Sequence, residues 1–325
     1  MTRTALVLGS TGGIGGAVAR RLLTRGWTVR ALTRSGSIAK VPEGALAVTG
    51  DAMCSGDVAS AAAGVELIVH AVNPPGYRDW DRLVLPMLDN TIAAARTQRA
   101  RILLPGTVYN YGADAFPLID EDAPQHPQTR KGKIRVEMEH RLRAVTETGE
   151  AEALIVRAGD FFGPDAGNNW FSQGLVKPGA RPSAVYEPGR PRIGHQWAYL
   201  PDVAETMVRL VERGGLAPFA TYHMDGQWDP DGRRMSTAIV RALGDPAVPV
   251  KRLPWWTLKL AALFATTPRE LVEMRYLWKT PVRLANDRLI AWLGEEPRTP
   301  LDVAVRETLL SNGCIAVRTS TDVGR

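Results

Sequence analysis

The stretch LVLGSTGGIGGAVARRLLTRGWTVRALTRSG, residues 6–36, decides the fold class. A β-rich run, TALVLG, leads into glycines at 9, 12 and 15, and a helical run follows that ends at Gly26 in a C-cap position. A second β-rich run, TVRALT, comes next. Strand, glycine turn, helix and strand in this order form a dinucleotide-binding βαβ unit. The first glycine permits the tight turn, the second lets the backbone approach a diphosphate, and the third brings helix close to strand. The helix mouth then offers free N–H groups and its positive dipole end to the anion. Gly9, Thr11, Gly12, Gly13, Ile14 and Gly15 are therefore expected to hold a dinucleotide.

The end of the second strand selects the dinucleotide. A carboxylate there bonds the ribose 2′-hydroxyl of NAD, whereas an Arg accommodates the 2′-phosphate of NADP. The chain has Thr33, Arg34 and Ser35 at this tip and no acid, so NADP(H) is favoured over NAD(H). Asp51, with Ala52 after it, stands where a loop carboxylate meets the adenine amino group.

Working outward, short β-branched runs alternate with helical patterns up to about Ile155, the mark of a parallel sheet wound by crossover helices. After Asp160 the rhythm changes: Pro, Gly and Trp become dense and strands short. The expected architecture is α/β, a doubly wound parallel (Rossmann) sheet with a smaller C-terminal substrate lobe. Its divisions are a dinucleotide-binding domain over 1–158, a region over 159–312 that is mainly substrate lobe with returning strands and helices of the core, and a tail over 313–325. The segment PWWTLKLAALFATTPRELVEMRYLW reads as two helices broken at Thr267-Pro268.

A chain of 325 residues with 45% hydrophobic and 23% charged content buries a full core, which excludes disordered and collagen-like classes. The net charge of +6 comes without a basic run interleaved with aromatics, so no nucleic acid is expected as partner; an anionic small ligand accounts for the excess. The two Cys and five His residues lack metal-ligand spacing, so no metal is expected. No apolar run approaches a membrane span, which leaves no membrane partner and a cytoplasmic location as the expectation.

Six segments carry a family likeness: LGSTGGIGGAVARRLL, LIVHAVNPPG, ILLPGTVYNYG with IDEDAPQHP, RAGDFFGP, WAYLPDVAETMVRLVE and WLGEEPRTPLDVAVRETL. Through them the chain resembles the extended short-chain dehydrogenase/reductase superfamily, in its NAD-dependent epimerase/dehydratase group. The resemblance implies a Ser or Thr that bonds the substrate oxygen, a Tyr in YxxxK that moves a proton, and a Lys that holds the nicotinamide ribose and lowers the Tyr pKa. Aligned through Tyr111-Gly112, Thr107 takes the hydroxyl position. Matching Lys133 and Glu137 to the family's KxxxE makes Lys133 the ribose ligand and puts Thr129 where the Tyr belongs. Thr is no substitute, because its hydroxyl is far less acidic and sits on a shorter side chain. Tyr109, on the same side of the strand end as Thr107, is the favoured replacement acid.

The resemblance also places Asn73, Pro74 and Pro75 beside the nicotinamide. His195 stands where nucleotide-sugar enzymes carry a phosphate-binding Arg, which argues against a nucleotide-diphosphate sugar as substrate. Tyr77, Tyr111, Phe161, Asn168, Trp170, His195, Trp197 and Tyr199 are expected to form a substrate wall suited to an apolar or aromatic carbonyl compound. The function expected is an NADP(H)-dependent oxidoreductase or epimerase-like enzyme acting on a carbonyl or alcohol small molecule without the usual Tyr. The alternative is a catalytically silent NADP(H)-binding sensor. Superfamily habit points to a homodimer through LVLPMLDNTIAAA and RVEMEHRL.

Overall fold

Strand β1 (Thr4–Leu8) shows how the sequence builds the sheet: Ala5 and Val7 enter one hydrophobic cluster, Leu6 and Leu8 another. Successive strand residues point to opposite faces, so a run apolar at every position is buried on both. The computed structural model describes residues 3–74, 79–167 and 169–316. Pro75, Tyr77 and Asn168 lie outside the described residues.

In chain order, β1 is followed by α1 (Gly13–Thr24), β2 (Thr28–Thr33), β3 (Leu46–Thr49), α2 (Ser55–Ala61) and β4 (Leu67–His70). Then come α3 (Trp80–Gln98), β5 (Arg101–Gly106), β6 (Leu118–Ile119), α4 (Arg130–Glu147) and β7 (Glu152–Arg157). The chain continues through β8 (Asp160–Phe162), β9 (Val185–Glu187), β10 (His195–Tyr199), α5 (Leu200–Arg213) and β11 (Phe219–His223). It ends with β12 (Gln227–Asp229), α6 (Arg234–Leu243), β13 (Val250–Arg252), α7 (Trp255–Ala261), α8 (Thr266–Glu273), β14 (Arg283–Leu284), α9 (Asp287–Leu293) and α10 (Leu301–Ser311).

Seven strands form one parallel sheet in the order β11-β7-β5-β4-β1-β2-β3. Helices α1 and α5 cover one face, and α2, α3 and α4 the other. The connection reverses direction at β1, between β2 and β4, and the C-terminal ends of these strands open a crevice there. The second lobe is built on a β12-β10-β8 sheet and an aromatic cluster that includes Phe162, Trp170, Trp197 and Trp278. Strand β11 and helix α5, both beyond Asp160, belong to the central sheet and its cover.

Two details differ from the sequence expectation. The helix break falls at residues 262–265, and Pro268 sits inside the first turn of α8, where its missing N–H costs no hydrogen bond. Cys314, assigned to the tail, is buried in the lobe's cluster; residues 317–325 lie outside the described ones.

Candidate active site

The glycine turn is shaped by close backbone approach. Gly9 has φ +87°, and a Cβ there would lie 2.5 Å from the Ala71 carbonyl oxygen. A Cβ on Gly15 would lie 2.2 Å from the Gly9 oxygen, so only glycine lets α1 sit on the turn. Gly15 is thus a packing residue and does not line the cavity. Gly12 caps α1 with no side-chain hydrogen bond, and the first turn carries no acid. The helix mouth keeps its N–H groups for an anion. Leu8, Gly9, Thr11, Gly12, Gly13 and Ile14 form one wall of a cavity of about 660 Å³.

At one end of the cavity stand Thr33, Arg34 and Ser37 with Asp51, Ala52 and Met53. The Ser37 N–H donates to the Arg34 carbonyl at 2.8 Å, and this turn brings Ser37, rather than the expected Ser35, to the wall. Ser35 is exposed outside it. The Asp51 carboxylate accepts the Met53 N–H at 2.9 Å, which fixes the loop under the site.

At the other end, Asn73, Thr107 and Tyr109 line the cavity. The Thr107 hydroxyl accepts the Tyr109 N–H, and its carbonyl accepts Arg157 Nη1 at 2.6 Å. Arg157 is fully buried and paired with Glu139 at 2.9 Å. Glu139 in turn accepts Asn110 Nδ2 at 2.9 Å, so a buried ionic network anchors the strand end that carries Thr107.

Helix α4 corrects the register of the expected motif. Thr129 is its N-cap, with the side chain accepting the Gly132 N–H at 3.0 Å, and it lies outside the cavity wall. Lys133 is exposed and also absent from the wall. The helix residue that lines the cavity is Arg135. Two residues are about 200° on a helix, so Lys133 and Arg135 face opposite ways. With Arg135 at the Lys position, Glu139 follows four residues later and Lys131 precedes by four, where YxxxK has Tyr. Lys131 is buried, its Nζ 2.7 Å from Glu270 Oε2, and burial pushes its pKa down against the pull of Glu270. Helix α4 contains no Tyr. Its start packs on the Tyr109 backbone, where a Cβ on Gly132 would lie 2.2 Å from the Tyr109 oxygen.

Arg135 also stacks on Trp80, 5.1 Å from the ring centroid, and both face the cavity. His70, at the end of β4, lines it too; burial, assisted by the Arg135 charge, holds the imidazole at a pKa of about 3, so it is neutral.

The second lobe contributes Phe161, Trp170, Asp160, Asn169 and Gln173 to the wall. Four residues expected there lie behind it. Tyr111 is buried with its hydroxyl 3.2 Å from His223 Nε2. Trp197 packs edge-on to Phe162, and the Tyr199 hydroxyl donates to Glu307. His195 lies flat on Trp278, at 3.7 Å between ring centroids, with Nε2 2.8 Å from Asp160 Oδ2. All four are aromatic; His195, Trp197 and Tyr199 take alternate positions of β10 that point into the lobe's core instead of the cavity, and Tyr111 is buried in the same cluster from the turn after β5. The sequence reading missed Arg135, Asp160, His70, Ser37 and Met53. For Arg135, counting helical turns back from the buried partner of Arg157 gives the right face.

Residues 5–218 match the model of the NAD dependent epimerase/dehydratase family. A 3-diazoavenalumate denitrifying reductase from Streptomyces sp. is 29% identical over 178 residues, 50% of this chain; the chain spans 57% of that relative's length. A UDP-glucose 4-epimerase from Thermotoga maritima, solved with UDP-glucose, superimposes with a TM-score of 0.74 at 15% identity, covering 95% of this chain and 98% of that one. A Thermus thermophilus UDP-glucose 4-epimerase complexed with NAD gives 0.69 at 19% identity, covering 94% and 97%. These structures share the fold. The family match over a cavity walled by the glycine turn, Thr107 and Arg135 makes the conclusion plain: the chain belongs to the NAD-dependent epimerase/dehydratase family.

Proposed function

We propose that this chain is an NADP(H)-dependent oxidoreductase that reduces a carbonyl group on a small, largely apolar molecule. The observation that carries the reading is one continuous cavity with the glycine turn and Arg34 at one end and Thr107 and Tyr109 at the other. The bare backbone at Gly9 and Gly12 and the uncapped helix mouth fit a diphosphate. Arg34 and Ser37 supply donors for a 2′-phosphate, with no carboxylate at the strand tip to repel it. Asn73 and Arg135 stand toward the nicotinamide side.

When bound, the nicotinamide supplies or accepts a hydride. The chain's own groups do the rest. Thr107 orients the substrate oxygen by a hydrogen bond, and Tyr109 holds the proton that the oxygen takes up. Phe161 and Trp170 exclude water and hold a flat apolar body. Reduction is favoured over epimerisation because the Streptomyces relative is named a reductase. Asp160 at the wall disfavours a diphosphate-bearing substrate.

Purified protein incubated with NADPH and a panel of aldehydes, ketones and enones is expected to consume the cofactor. Tyr109→Phe should lower kcat by at least about 100-fold, the range of general acid catalysis, without changing NADPH affinity. NADPH binding with no turnover anywhere on the panel would overturn the reading.

A further inference from the structure

Helix α7 and the turn after it carry an apolar face that the fold leaves in solvent. Trp256, Leu260, Leu263 and Phe264 are all exposed, Phe264 to 90% and Trp256 to 68%. Their spacing of four, seven and eight residues from Trp256 is one side of a helix. Past Ala261 the chain tightens into turns, with Ala262 N–H still on the Leu258 oxygen at 2.9 Å and Leu263 and Phe264 N–H on the oxygens three residues back, at 3.2 and 3.0 Å. Four large exposed apolar side chains within nine residues are an exposure of the kind that marks an interaction site.

The charge carried by the segment itself has one sign, although Glu187 stands opposite Arg252 on the paired strand β9. From Val250 to Pro268 the chain carries Lys251, Arg252 and Lys259 and neither Asp nor Glu. All three basic residues are exposed. An aromatic and aliphatic face bordered by cations is the composition of a helix that lies in a membrane interface, with Trp at headgroup depth and Lys or Arg against anionic lipid. A second copy of the same face would set these cations against one another. No described helix is long and apolar enough to cross a membrane, so the contact is with a surface.

The hairpin also borders the cavity. Trp255, on the other side of α7, packs on Trp170 of the wall at 5.8 Å between ring centroids, and Leu271 of α8 lines the cavity itself. Lys131 ties α8 to α4 through Glu270.

We propose that the α7–α8 hairpin docks the protein on an anionic lipid surface, with Trp256, Leu260, Leu263 and Phe264 inserted at headgroup depth and Lys251, Arg252 and Lys259 against lipid phosphates. The docked element is the one that borders the substrate end of the cavity. The full chain is mixed with vesicles of phosphatidylcholine alone and of phosphatidylcholine with phosphatidylglycerol, and the bound fraction is measured by sedimentation. Binding is expected to the anionic vesicles, weakened by salt. The Leu263→Glu/Phe264→Glu variant should lose at least about tenfold in affinity, with its thermal melting and its oligomeric state unchanged. Lys251→Glu/Lys259→Glu keeps the apolar face and should lose the preference for anionic vesicles, which provides a second reading if the first variant folds poorly. The proposal is overturned if the wild-type chain stays in the supernatant with both vesicles, or if both variants bind like it. Conversion of a dimer to a monomer by Leu263→Glu/Phe264→Glu, without vesicle binding by the wild type, would make the face a contact between copies.

Discussion

His195 Nε2 lies 2.8 Å from Asp160 Oδ2, and of this pair the carboxylate is the member that lines the cavity. The imidazole is held from behind by the flat face of Trp278. The cavity wall contributed by the second lobe therefore presents a fixed carboxylate. A phosphate brought within about 4 Å of it meets repulsion of roughly 4 kcal/mol at the effective dielectric of a protein surface. Calorimetric titration with UDP-glucose should show no binding at micromolar concentrations, although the related fold from Thermotoga maritima was solved with that compound. A micromolar Kd for wild-type protein would remove Asp160 from its assigned role.

Arg34 should decide between the two nicotinamide dinucleotides. A guanidinium bonded to a phosphate contributes about 1.5–3 kcal/mol, one to two orders of magnitude in affinity. Arg34→Ala is expected to raise the Kd for NADPH by about 10- to 100-fold and to leave that for NADH nearly unchanged. Equal losses for both, read by fluorescence titration, would mean that Arg34 acts on the shared part of the molecule.

The glycine turn and the central sheet were legible in the sequence because both rest on local constraints. A tight turn demands glycine, and a strand buried on both faces demands an unbroken apolar run such as ALVL of β1. Helix α4, which brings Arg135 to the cavity, was harder to read. Its sequence, RKGKIRVEMEHRLRAVTE, is basic and polar on most sides, so two registers look alike until the buried partner of Arg157 fixes which side faces inward. The lobe was the least readable. Tyr111, Trp197 and Tyr199 have the chemistry of a substrate wall, but the same flat surfaces serve a core, and short strands in long irregular connections give too little periodicity to tell the two apart.

Gly15, inside the first βαβ unit, and Gly36, in the turn just after it, should behave oppositely. A Cβ at Gly15 would come within 2.2 Å of the Gly9 oxygen, whereas one at Gly36 meets nothing within 4 Å and its φ is ordinary. Gly15→Ala forces α1 off the turn at a cost of about 1–3 kcal/mol, lowers the melting temperature by several degrees, and weakens dinucleotide binding with it. Gly36→Ala should stay within about 0.5 kcal/mol of wild type in the same melts. Indistinguishable melts for the two would contradict the packing described for the turn.

His70 sets how the fold responds to acid. It is buried, with Nδ1 2.8 Å from the Thr91 hydroxyl, and burial together with the Arg135 charge holds its pKa at about 3, against 6.5 for a free imidazole. Between those values the unfolded chain binds a proton that the folded chain refuses. Stability from this residue is therefore complete above about pH 6.5 and declines as pH falls, by about 2 kcal/mol at pH 5. His70→Asn removes the titration and retains a side-chain nitrogen for Thr91. Carboxylates titrate in both proteins, so the difference between their stabilities isolates His70: denaturant melts at pH 7 and pH 5 should show the wild type losing about 2 kcal/mol more than the variant across that interval. The same loss in both would mean that the imidazole takes up its proton within the folded cavity beside Arg135.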